Sequence, residues 1–139
     1  MKAVYVDSSV LVALLLRERG YEKTARFLEK RIPLFSSYLL EAELYATASR
    51  EGISLETAGE FVDLVSLVLP DRSLKEEYRR IFEGGYCRGA DACHVATALY
   101  LDPKTVNLGF LTADKDQAKI AKAVGFRLLS CASPPSRPS

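Results

Sequence analysis

The stretch Val4-Tyr5-Val6-Asp7-Ser8-Ser9-Val10-Leu11 decides the fold. A β-branched and aromatic run ends on a carboxylate, two hydroxyl residues follow, and an apolar segment at helical spacing begins. The pattern predicts a buried strand over residues 2–6, apolar apart from Lys2, as an interior strand of a parallel sheet is. That strand delivers Asp7 to the sheet edge where the next helix starts. A carboxylate there is either a helix cap or a ligand for something positive. Other acids arriving at the same edge decide between the two.

Outward from this stretch, short apolar runs alternate with helical spacing. Ser8 or Ser9 is expected to cap a helix reaching Leu16, broken by Arg17-Glu18-Arg19-Gly20. Tyr21 to Lys30 reads as a second helix and Ile32 to Phe35 as a strand. Ser36-Ser37 opens a third helix, to about Arg50. Ser54 caps a fourth, ending near Val65, and Leu67 to Pro70 reads as a strand that its proline confines to an edge. Ser73 opens a fifth helix to Glu83, closed by Gly84-Gly85, and Gly89 a sixth to Leu101. Leu108 to Leu111 is a strand, Asp114 to Val124 a helix closed by Gly125, and Phe126 to Leu129 the last strand. Such alternation predicts an α/β fold whose parallel sheet is covered on both faces. In such folds the working site lies beyond the carboxyl ends of the strands, where strand order reverses.

The length of 139 residues suits one domain over 1–130, with a Pro- and Ser-rich tail over 131–139 expected to be disordered. A net charge of +1 gives no global basic field, which weakens a nucleic-acid reading while leaving room for a local basic groove. Val10 to Leu16 is too short to span a bilayer and lacks the flanks of a signal peptide, so a cytoplasmic protein is expected. Cys87, Cys93 and Cys131 form no CxxC pair. A zinc site built from them with His94 matches no finger or ribbon spacing, and buried free thiols are the simpler expectation. Neither GxGxxG nor GxxxxGKS occurs, which argues against nucleotide cofactors. A phosphatase on a similar sheet needs an Asp two residues after Asp7, where Ser9 stands.

The acids are the remaining chemistry. Asp7 follows the first strand and Asp114 the fourth, so both reach one edge if those strands are neighbours. Glu41 and Glu43 lie early in the third helix and Asp91 at the start of the sixth. Each has a plain structural reading: Asp7 and Asp91 as caps, and Asp114 with Gln117 as a capping box. Gathered together, however, like charges ~4 Å apart repel by about 4 kcal/mol per pair at an effective dielectric near 20. Four carboxylates at one edge then require shared protons or a cation, and hard oxygen donors favour Mg²⁺ or Mn²⁺. Such an ion suits phosphodiester hydrolysis. Glu41 and Glu43 point about 200° apart on a helix, so one of them faces elsewhere. Periodicity leaves open which.

The segments VYVDSSVLVALLL, SSYLLEAELYATASR, RGADACHVATAL and GFLTADKDQAKIAKAVGFRLL, in this order, resemble a PIN domain, most closely the VapC-type toxin nucleases of toxin–antitoxin pairs. The resemblance implies a three-layer α/β/α fold with sheet order 3-2-1-4-5. It also implies a Mg²⁺-dependent endoribonuclease, with Mn²⁺ as a substitute. It assigns the acidic set to Asp7, Glu43, Asp91 and Asp114, choosing Glu43 because Ala42-Glu43-Leu44 matches the family's Ala-Glu-Leu. Asp116 matches an accessory metal-binding acid. Ser9 matches the hydroxyl residue beside the first Asp, Thr112 is a second accessory, and His94 falls at an orienting position. Arg17, Arg50, Arg88 and Lys115 are the expected RNA-steering cations. Implied partners are RNA, a cognate antitoxin and a second copy of the chain, with no membrane. Val12, Leu15, Leu16, Leu64 and Leu67 are candidate contacts, equally readable as core. An RNA-processing nuclease outside a toxin pair, or a non-catalytic PIN binding module, is the alternative function.

Overall fold

The computed structural model describes residues 2–129; Cys131 and the tail expected over 131–139 lie outside the described residues. In β1 (Ala3–Val6), Val4, Tyr5 and Val6 are fully buried, as an unbroken apolar strand between two layers must be. The chain continues through α1 (Ser8–Leu15), α2 (Tyr21–Leu28), β2 (Leu34–Ser37), α3 (Leu39–Glu51), α4 (Leu55–Val62) and β3 (Ser66–Val68). It then runs through α5 (Lys75–Phe82), α6 (Gly89–Leu101), β4 (Leu108–Leu111), α7 (Lys115–Ala123) and β5 (Arg127–Leu129). The strands pair in parallel in the order β3-β2-β1-β4-β5. This is the order the resemblance implied, and the strand carrying Asp7 is central.

Alternation along β1 splits the core in two. Val4 and Val6 pack with Leu11, Leu14, Leu40 and Leu44 on one face. Tyr5 packs on the other with Val95, Leu99, Phe110 and Phe126. The Tyr5 ring stacks on Phe110, centroids 5.1 Å apart at 19°. Val6 pairs with Leu111, so Asp7 and Thr112 leave adjacent strands side by side. Chain order reverses between β1 and β4, the position at which sheets of this kind place their working site.

Several boundaries differ from expectation. β2 comprises residues 34–37 rather than 32–35, because Ile32 N–H closes a turn on the Lys30 carbonyl. Ser36 and Ser37 therefore belong to the strand, and the Ser37 hydroxyl accepts from Leu39 N–H at 3.0 Å. β3 comprises Ser66–Val68 rather than Leu67 to Pro70, and it is an edge strand. Neither Ser8 nor Ser9 caps α1, whose N-cap position is Asp7. Ser54 caps α4 as expected, accepting from Thr57 N–H at 3.1 Å. Among the described residues no helix is long and apolar enough to cross a membrane.

Candidate active site

Asp7 is 3% exposed and makes no side-chain cap bond despite its place at the start of α1. Two hydroxyls donate to it instead: Ser9 Oγ to Oδ1 at 2.6 Å and Thr112 Oγ1 to Oδ2 at 2.5 Å. Those hydroxyls are fixed in turn by backbone amides, Ala113 N–H to Ser9 at 2.9 Å and Asp114 N–H to Thr112 at 3.0 Å. The loop after β4 is thus laced to the carboxylate after β1. Burial pushes the Asp7 carboxyl up from its ordinary value; the Ser9 and Thr112 hydroxyls oppose this, and the Asp114 charge adds to it. The plain cap reading fails for Asp7.

It holds for Asp114, whose Oδ1 accepts from Asp116 N–H at 2.8 Å and Gln117 N–H at 3.1 Å. The reciprocal half of the expected capping box is replaced by another contact. Gln117 Nε2 donates to the Asp91 carbonyl at 3.2 Å, tying α7 to the first turn of α6. Asp91 is half-buried in that turn, its Oδ2 3.4 Å from Arg88 Nε; Arg88, not Asp91, holds the N-cap position. Asp116 is exposed nearby.

Glu43 is distinguished from Glu41 by a partner that helical geometry could not reveal. Its Oε1 lies 2.8 Å from His94 Nε2, while Glu41 is exposed. His94 is 2% exposed, and its Nδ1 lies 2.7 Å from the Tyr5 hydroxyl, which itself accepts from Ser37 N–H at 3.0 Å. With Ser37 supplying one proton, the hydroxyl donates its own to Nδ1. The Nε2 proton then points at Glu43, an assignment made from this network. Tyr5 is the positioning residue that sequence reasoning missed, and Gln117, expected only in a capping box, also holds the Asp91 carbonyl. The available signal was a tyrosine inside an otherwise aliphatic strand, since a buried hydroxyl needs a partner.

Asp7 thus follows β1 and Asp114 precedes α7, while Glu43 and Asp91 stand in the early turns of α3 and α6. Among the described residues, however, no three His, Cys, Asp or Glu side chains form a group that could hold a metal ion. The four expected acids thus lie along one edge without closing into a single cluster among the described residues. Each acid instead has a local partner: two hydroxyls, cap amides, Arg88 or His94.

The expected steering cations divide. Arg88 and Lys115 adjoin Asp91 and Asp114. Arg17 lies beyond the far end of α1, over the Tyr21 ring at 5.9 Å. Arg50 lies in the last turn of α3, paired with Glu51 at 3.0 Å and roughly 10 Å along the axis from Glu43 at 1.5 Å per residue. Neither reaches the acids. A zinc reading finds no support, since both His94 nitrogens are engaged. Cys87 and Cys93 are free thiols, half-buried rather than buried, and burial together with Asp91 pushes the Cys87 thiol up. Of the candidate partner contacts, Leu15 is core, Val12 and Leu67 pack against it, and Leu64 is exposed.

A family model of the PIN domain matches residues 4–123. The chain belongs to the PIN-domain family. This PIN domain is 33% identical over 137 residues to Ribonuclease VapC46 of Mycobacterium tuberculosis (strain ATCC 25618 / H37Rv), covering 94% of this chain and 98% of that protein. It shares its fold with a chain of VapBC-1 from nontypeable Haemophilus influenzae, at a TM-score of 0.66 and 13% identity, covering 94% of this chain and 99% of that one. The sheet order, the PIN model and the VapC46 likeness together make it a VapC-type PIN domain.

Proposed function

We propose that this chain is a Mg²⁺-dependent endoribonuclease, the toxin of a toxin–antitoxin pair. The observation that carries this reading is Asp7, a buried carboxylate kept apart from the helix cap and held by two hydroxyls beside Asp114 at the switch point of the sheet. A carboxylate buried without a cationic side chain of its own is an arrangement that a cation relieves. Similarity to Ribonuclease VapC46 supports RNA as the substrate.

The donor set is compatible with magnesium although the described residues form no cage. Mg²⁺ keeps several waters and takes one or two carboxylates directly, so acids spaced around an edge suit it better than a tight cluster would. Asp7 and Asp114 would hold the ion directly; Glu43, Asp91 and Asp116 would hold it through its waters. A bound divalent ion activates water and offsets the charge developing on phosphate. The chain's own residues prepare this chemistry. Ser9 and Thr112 favour the ionised form of Asp7 against the effect of its burial, and His94 aims Glu43. Arg88 is free to exchange Asp91 for a substrate phosphate. An antitoxin and a second copy of the chain are the proposed protein partners, with exposed Leu64 a candidate contact.

The test is cleavage of single-stranded RNA by purified protein with Mg²⁺, with and without chelator, comparing wild type with Asp7→Asn. Loss of cleavage in chelator and at least a hundredfold loss in the variant are expected, the latter being about 2.7 kcal/mol of transition-state stabilisation. Equal rates for the two proteins would sink the assignment.

A further inference from the structure

Beside the acids a groove leads away between the turn after α5 and the outer face of α7. Two cavities of about 490 and about 280 Å³ share Tyr86, Cys87, Lys119 and Ile120 in their lining. The larger also takes in Arg88, Asp91 and Asp116, so the groove opens directly onto the candidate active site. Tyr86 is 89% exposed, the most exposed large apolar or aromatic side chain among the described residues. It stands on Gly84-Gly85, where Gly85 has φ +125°, a conformation that favours glycine although space for a Cβ is open. The backbone there serves to lift an aromatic ring away from the core. Ile120 and Cys87 are half-buried below it, and Lys119 makes no ion pair among the described residues.

An exposed ring, an apolar floor and an ammonium that forms no ion pair among the described residues, at the entrance to a phosphodiesterase-like site, fit one kind of occupant. An apolar partner would cover the Lys119 ammonium without supplying a counter-charge, which is costly. Single-stranded nucleic acid supplies both halves, a base face for the ring and a phosphate for the cation, where a duplex has its base faces already stacked. We infer that this groove is a subsite for a nucleotide of single-stranded RNA flanking the cleaved bond, its base stacked on Tyr86 and its phosphate against Lys119. The inference rests on the nuclease reading above and adds the path that the strand takes from it.

The chain contains no tryptophan, so Tyr86→Trp places a single tryptophan in the groove, whose emission is excited selectively beyond the absorption of the tyrosines. In chelator, where no cleavage is expected, a short single-stranded oligoribonucleotide should quench this fluorescence saturably. Adding Lys119→Gln should lower the slope of log affinity against log salt by about 0.7, one phosphate contact on a single strand. In cleavage assays Tyr86→Ala should raise KM about tenfold, within the range measured for loss of one stacked base, with kcat changed less than about twofold. Lys122→Gln, exposed on the same helix and outside the groove, should behave as wild type. No quenching, or an unchanged KM for Tyr86→Ala in a protein that cleaves RNA, overturns the subsite and leaves the nuclease reading intact. Quenching by RNA in a protein that never cleaves it has the reverse meaning. Quenching on raising the protein concentration alone, without RNA, assigns the groove to a second copy and overturns the proposal.

Discussion

Replacing Tyr5 by Phe removes one oxygen from the centre of the molecule and disconnects three elements. That oxygen accepts from Ser37 N–H on β2 at 3.0 Å and donates to His94 Nδ1 on α6 at 2.7 Å. Tyr5 has no exposed surface, so water does not replace the lost bonds. Each buried polar group left unpaired costs about 1–3 kcal/mol. The ring keeps its stack on Phe110, so cavity formation adds little, and a net loss of about 2–4 kcal/mol is expected. With a urea m-value of about 1–3 kcal/mol/M for a small domain, the unfolding midpoint should fall by roughly 1–2 M at unchanged m. Because His94 hands the network on to Glu43 at 2.8 Å, Tyr5→Phe and His94→Leu should be non-additive in a double-mutant cycle, with a coupling of about 0.5–3 kcal/mol. A midpoint shift below about 0.3 M at constant m, or strict additivity in the cycle, would refute the reasoning.

Four further outcomes are expected. Mg²⁺ at a hundredfold its dissociation constant should stabilise wild type by about 2.7 kcal/mol, visible as a rise of several degrees in Tm, and Asp7→Asn should show no such rise. His94→Gln should raise the Mg²⁺ concentration giving half-maximal cleavage by about tenfold, as loss of a residue that orients a ligand typically does; an unchanged titration would remove His94 from the site. Thr112→Val deletes a hydroxyl that donates to ionised Asp7, so the Asp7 carboxyl should rise further and the acid limb of the pH–rate profile should move to higher pH, whereas a stationary limb would contradict the assignment. Burial pushes the Tyr78 hydroxyl up to about 12, with the Cys93 thiol contributing, and pushes Tyr5 upward as well. Folded chains therefore hold protons that unfolded chains have lost above about pH 10. Stability should fall as pH rises from about 10 toward 12, and Tyr78→Phe should flatten that fall in urea midpoints.

Fold order and element type were legible because local signals and burial agree. The aliphatic run of β1 lies between two packed faces, Gly52 and Gly125 stand just past α3 and α7, and Ser54 caps α4. The slip at β2 has a definite cause. Ser36 and Ser37 look like helix-starting residues because serine favours local backbone bonds, yet Ser37 N–H is claimed by Tyr5 from the adjacent strand. Glu43 could not be chosen over Glu41 from periodicity because the deciding partner, His94, lies 51 positions away. Arg17 and Arg50, expected among the RNA-steering cations, lie beyond or at the far ends of α1 and α3. A helix carries a residue away from its sequence neighbours along its axis, which a one-dimensional reading does not weigh. Nothing local in the sequence marks Tyr86, whose place beside α7 comes from the fold.

The local partners of the acids explain how their charges are tolerated along one edge. Four carboxylates packed at ~4 Å would set up repulsions of about 4 kcal/mol per pair, comparable in sum with the whole stability of a domain. The fold avoids this by giving each acid its own local donor. Two hydroxyls serve Asp7, cap amides serve Asp114, a guanidinium serves Asp91 and an imidazole N–H serves Glu43. The contacts at Asp7, at Asp114 and, through His94 and Tyr5, at Glu43 all end on backbone amides. The Arg88 contact at Asp91 is long and solvent-facing and can be surrendered at little cost. The other acids therefore have fixed partners, while the Asp91 side chain and its arginine can exchange theirs. A site that binds a hydrated cation tightly but releases a polyanionic product needs this division between fixed and exchangeable partners.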